Sequence, residues 1–159
     1  MIIPLLVSSF LSVTPAKDTV WWNTPGGTVT EHGDQNAATC SLMLYQSGGS
    51  VTFEWSDPTR TLVAASDQNW QFRDDQEMPI AMELGDVWLS DHAGSAIIAA
   101  LGHGNSVAFA TDQSVDDLLR SAEQIVVKTK SGDLIIAPPR GKMGVLLARA
   151  HDCQVAIRR

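Results

Sequence analysis

The alternation of apolar and polar residues changes period along this chain. It is close to two through most of the first 110 positions and near 3.6 in two stretches of the last third, which predicts strands followed by helices. The clearest strand is Ala38 to Gln46, with Cys40, Leu42 and Leu44 on one side and Ser41, Met43 and Tyr45 on the other. Cys40 therefore points with the leucines. Ser47-Gly48-Gly49-Ser50 supplies a four-residue connection, and Val51, Phe53 and Trp55 alternate beyond it with Thr52 and Glu54, so the pair reads as a β-hairpin.

Further strands are expected on both sides of that hairpin. Thr19-Val20-Trp21-Trp22 reads as an opening strand and is stopped by Asn23-Thr24-Pro25-Gly26-Gly27, after which Glu31 to Asn36 is polar. Asp57-Pro58 ends the second hairpin strand, and Thr61 to Ala65 starts another before the turn-like Ser66-Asp67-Gln68-Asn69. Trp70 and Phe72 share a face, and the segment after Pro79, with Ile80, Met82 and Leu84 alternating against Ala81 and Glu83, is a half-buried strand broken by Gly85-Asp86. Val87 to Leu89, Ser95 to Leu101 and Ser106 to Ala110 follow as short strands, although 96–101 fits a buried helical turn equally well. Strands at this spacing predict an antiparallel meander, a flattened barrel or a sandwich.

The last third changes character. Val115, Leu118, Leu119 and Ala122 fall on one stripe of a helix, with Ser114 as its expected cap and Asp116 and Asp117 at its positive end. Met143, Leu146, Leu147 and Ala150 repeat the stripe, and Cys153 is the next position on that side. Between the helices, Ile125 to Lys130, the turn Ser131-Gly132-Asp133 and Leu134 to Ala137 form a second hairpin, ended by Pro138-Pro139, with Gly141 allowing a sharp entry to the last helix. The fold class is thus α+β, with two helices in the C-terminal third closing an antiparallel sheet.

Composition narrows the picture. The 159 residues, 44% hydrophobic, suit one domain with a substantial core, placed at 17–159. Residues 1–16 are uncharged, with an apolar run from Ile2 to Val13 and the small-residue ending Thr14-Pro15-Ala16, as in a secretory signal; the run is too short to span a bilayer, which needs about 20 apolar residues. A buried first strand or helix is the alternative. A net charge of −7 gives no bulk attraction to nucleic acid or anionic lipid. Residues 17–113 hold three Lys/Arg against 13 Asp/Glu, a balance of −10, whereas the remainder holds eight against five, or +3. Solvated loops account for this, and so does an acidic face that meets a basic partner. Cys40 and Cys153 are the only pair, which in an oxidising compartment means one disulfide and in a reducing one two buried thiols.

Candidate chemistry is sparse. Asp86, Asp91, His92 and His103 flank one apolar run and could converge on a metal, and with Ser95 or Ser106 the same region could assemble a small hydrolase. Neither spacing matches a zinc pattern, and no Gly-x-Ser-x-Gly elbow, Rossmann glycines or P-loop ending is present, so no cofactor is expected. Five tryptophans are the better clue. In a regular strand the adjacent Trp21 and Trp22 point to opposite faces, so one of them should look outward and be free to grip a sugar or a peptide.

Cys40-Ser41-Leu42-Met43-Leu44-Tyr45-Gln46, the final hairpin, Gly141, Leu146-Leu147-Ala148 and Cys153 together give a layout similar to the invasion-associated locus B family of small exported bacterial proteins. This chain lacks the further internal cysteine pair that such proteins carry, and Cys153 is not a usual part of their pattern. The resemblance implies a secreted β-rich domain of the cell envelope with no catalytic residues to carry over. The combined expectation is a periplasmic or secreted, non-enzymatic protein that is not an integral membrane protein and binds a protein or envelope component, not nucleic acid, through Trp21 or Trp22; the alternative is a hydrolase or metal-binding protein using residues 86–106.

Overall fold

A computed structural model of the protein describes residues 18–33, 38–57, 60–73, 77–85, 87–96, 105–112 and 114–158. The proposed secretory segment lies outside them. Among the described residues are ten strands, β1 (Thr19–Thr24), β2 (Gly27–His32), β3 (Thr39–Gln46), β4 (Gly49–Asp57), β5 (Arg60–Asp67), β6 (Glu77–Leu84), β7 (Val87–Ala96), β8 (Ser106–Thr111), β9 (Ile125–Thr129) and β10 (Gly132–Ile136), and two helices, α1 (Asp116–Ser121) and α2 (Met143–Ile157). The strands form one antiparallel sheet in the order β1-β2-β3-β4-β5-β8-β7-β6-β9-β10. The sheet does not close into a barrel. It folds over in a sandwich-like arrangement, with β10 meeting β3 and β4, and the Ala137 amide at the end of β10 donating to the Gln46 side chain at 3.1 Å. α2 lies against β1, β2 and β3 on the enclosed side.

Alternation explains the core. Cys40, Leu42 and Leu44 of β3, Val51, Phe53 and Trp55 of β4, and Val63 and Ala65 of β5 are buried on the same side, facing Ile80, Met82 and Leu84 of β6 and the stripes of both helices. The α1 stripe contributes Val115 and Leu119, both fully buried, and the α2 stripe contributes Met143, Leu146, Leu147, Ala150 and Cys153. α2 sits close to β2 because Gly27 has no side chain: a Cβ there would stand 2.7 Å from Leu146 Cδ1.

Several local expectations are corrected. Residues 27–32, read as the end of a turn and the start of a polar stretch, are the strand β2; only Val29 among them is a large buried side chain, so the apolar signal was one residue long. Asp91, His92 and Ser95, expected in or beside separate short segments, lie in one ten-residue strand, β7. Pro79 stands inside β6, not before it. β6 pairs with β9 only from Ala81 onward, so at Pro79 it has a single neighbour and no ladder bond is lost on the other side. Ser114 does not cap α1; Val115 holds the cap position and no side chain bonds there.

The cysteines form the disulfide Cys40–Cys153, with Cα atoms 6.1 Å apart and neither residue exposed. It pins the last helix to β3 across 113 residues of chain. Among the described residues no helix is long and apolar enough to cross a membrane.

Candidate functional site

An open cleft of about 1440 Å³ lies where α1, the β6–β7 turn and the β10–α2 connection meet. Its walls follow from chain chemistry. Pro138-Pro139 stops β10, and Gly141 takes a left-handed φ of +67°, which lets the chain turn abruptly into α2. On the opposite wall the Gly85 amide donates to the Gln124 carbonyl at 3.3 Å, holding the β6–β7 turn against the link from α1 to β9. Gly144, in the first turn of α2, has no side chain to fill the space, and the Arg120 guanidinium reaches to 3.6 Å from where its Cβ would be.

Among the described residues, four charged side chains line the cleft: Glu83 at the end of β6, Glu123 in the α1–β9 link, Arg120 at the end of α1 and Arg140 in the β10–α2 connection. None is engaged in an ion pair with another described residue. Glu83 and Glu123 stand by the paired segments Gly85 and Gln124, whereas Arg140 precedes Gly141 and Arg120 leans on the first turn of α2. That turn carries no acidic residue, and no side chain caps it, so the partial positive charge of the helix end has the same sign as the two arginines.

Beside the cleft, Asp116 at the start of α1 accepts a hydrogen bond from the Trp55 side chain. Its carboxyl is raised above the usual aspartate value, first by desolvation and then by the neighbouring charge of Asp117, which together outweigh His151, Arg120 and the Trp55 bond.

A second cluster forms where β1, β2 and β3 run side by side. His32 Nδ1 is 3.0 Å from Asp18 Oδ1, and His32 Nε2 is 2.8 Å from Ser41 Oγ. An Asp–His–Ser relay of this kind activates a serine in acyl transfer, but only beside an oxyanion hole with room for substrate. Here Ser41 is 2% exposed. It sits in an interior strand, paired with Thr30 on one side and Glu54 on the other, so the backbone donors around it are engaged in sheet ladders. The relay is a strut that fastens the residue before β1 to β3. Nothing in the local spacing of these three residues signalled it; only the sheet register brings them together.

The tryptophan pair is resolved by an irregularity. The register of β1 against β2 shifts between Val20 and Trp22, leaving Trp21 in a bulge, and a bulge breaks the strict alternation of faces. Both rings turn toward the α2 side. Trp21 packs against the core and its indole N–H donates to Glu31 Oε2 at 2.9 Å, while Trp22, 38% exposed, has the Arg149 guanidinium of α2 5.0 Å from its ring centre. Trp22 is thus the member of the pair left partly exposed, as expected, although it lies on the α2 side because the strand is not regular.

Of the residues proposed for hydrolase or metal chemistry, Asp86 and His103 lie outside the described residues. Asp91 and His92 are consecutive in β7, with His92 in register with Ile80. Ser95 is in register with Ala108, and Ser106, buried and paired with Ser66, donates its hydroxyl to Asn105 Oδ1 at 3.2 Å. Among the described residues no three His, Cys, Asp or Glu side chains are grouped to hold a metal. No family model matches the chain, nor does any curated protein or solved structure.

Proposed function

We propose that this chain is an exported domain of the bacterial cell envelope, periplasmic or secreted, that binds a protein or envelope component without transforming it, and that the cleft between α1 and α2 is its binding surface. One observation carries the reading: a scaffold pinned by a fully buried disulfide carries a cleft whose charged side chains form no ion pair among the described residues. Disulfides of this structural kind belong to oxidising compartments, and the uncharged apolar run before Lys17 has the composition of an export signal. The layout likeness to the invasion-associated locus B proteins points the same way. Unpaired charges in a concave site are the arrangement by which a partner's polar groups are oriented.

Trp22 offers a second contact surface, since its ring is partly exposed beside Arg149; Trp21 is taken up by the core and Glu31. No specific observation favours a hydrolase or a metal protein built on residues 86–106.

The test is retention of the purified, oxidised protein on envelope preparations compared with cytosolic extract. The protein is expected to be retained on the former, and a variant carrying Glu83→Gln, Arg120→Gln, Glu123→Gln and Arg140→Gln is expected to lose that retention while keeping its melting temperature. Equal retention of both proteins would overturn the assignment of the cleft.

A further inference from the structure

The strands that bury one face under α2 turn the other to solvent, and that outer face is short of charge. On it Thr28, Met43, Thr52, Ala64 and Ala108 fall in one register row across β2, β3, β4, β5 and β8. Tyr45 is the next outward residue after Met43 along β3, as Leu62 is beside Ala64 on β5, and Met43, Tyr45 and Leu62 are all exposed. The Tyr45 hydroxyl donates to the Thr24 carbonyl at 3.2 Å, which orders the ring before any partner arrives. Ionic groups gather at one end of the face, where His32 meets Asp18 and Arg60 meets Asp112. Among the described residues inside that rim Glu54 alone is charged, and it stands in the row next to the rim, not in the central one.

We infer that this face is where two copies of the chain meet across a two-fold axis, sheet against sheet. Three features select a second copy as the occupant. The chain carries a net charge of −7, so two copies repel each other except where the surface is neutral. Sheets of the same twist pack face to face with their strands about 30° apart, so a twisted face fits its own copy. Five strands about 4.8 Å apart and three rows about 7 Å apart give roughly 500 Å² a copy, or about 1,000 Å² for the pair, the least area that a specific interface needs. That area sets a dimer in exchange with its monomer. Methionine and tyrosine at the centre, with charged pairs at the edge, is the composition of such interfaces. The inference is independent of the cleft.

The experiment is sedimentation of the full oxidised protein at neutral pH over roughly 1 to 300 µM, as wild type and as the Met43→Glu, Leu62→Lys and Val145→Glu variants. The wild-type mass should rise with concentration from one chain toward two. Met43→Glu and Leu62→Lys each put a charge into an apolar contact and should weaken association by roughly tenfold or more. Their melting temperatures at the lowest concentration should match the wild type, because both side chains already face water. Val145→Glu, at an exposed site on α2, should associate like the wild type. A wild-type mass that stays at one chain throughout would overturn the inference, and so would a dimer that Met43→Glu and Leu62→Lys leave intact. A wild type that stays monomeric but loses its envelope retention through Met43→Glu would put a different molecule on this face, which equally overturns it.

Discussion

Single residues in this protein carry loads that their chemistry makes measurable. Asp116 has its carboxyl raised in the folded state, so between its folded and unfolded values the native protein binds the extra proton, and its contribution to stability falls as pH rises through that window. Asp116→Asn keeps an acceptor for Trp55 and removes the charge. It should stabilise the protein slightly at pH 7, by no more than about 0.5 kcal/mol given the side chain's exposure, and the gain should vanish below the unfolded aspartate value near pH 3.8; denaturant melts at the two pH values measure this. Gly27→Ala places a methyl group against Leu146 and Leu44, both fully buried, and should cost about 1–3 kcal/mol in the same assay. His32→Ala should cost about 1–3 kcal/mol, because it strands the buried Ser41 hydroxyl and frees Asp18, while His32→Ala with Ser41→Ala recovers part of the loss.

At the scale of elements, the strut at His32 fastens the edge strand β1, which otherwise has a sheet partner on one side alone. Amide hydrogen exchange should therefore speed up in β1 of the His32→Ala protein and leave β4 and β5 unchanged. What the sequence disclosed about elements follows the strength of their burial. β3, β4 and both helices were legible because each, with the α1 cap residue Val115 included, buries at least two large apolar side chains at regular spacing. β2 was not, since Val29 is its single strong signal, and its place in the sheet is set by pairing with β3. The bulge in β1 was also hidden. Alternation assumes a regular strand, and only the register with β2 reveals that Trp21 is the extra residue. The cleft was out of reach for a related reason: Glu83, Arg120 and Arg140 belong to segments far apart in the chain, and no local spacing can announce that a sheet and two helices bring them to one place.

For the whole molecule, the disulfide is the covalent tie between the sheet and the last helix. Joining residues 113 apart restricts the unfolded chain, and at that loop length the chain-entropy contribution is about 4–5 kcal/mol. Both sulfurs are shielded, so native protein should resist mild reductant and lose roughly 2–5 kcal/mol of stability only when reduced in denaturant or replaced by Cys40→Ala and Cys153→Ala. The same cross-link holds α2 on the sheet and, with it, one wall of the cleft. The proposed export and the proposed binding thus share one physical requirement, an oxidising compartment. The most direct test is the intact mass of the protein recovered from cells that were treated with a thiol-alkylating reagent before lysis and denaturation. The account predicts a chain that begins after Ala16 with neither Cys40 nor Cys153 alkylated; a full-length chain with both cysteines alkylated would contradict it.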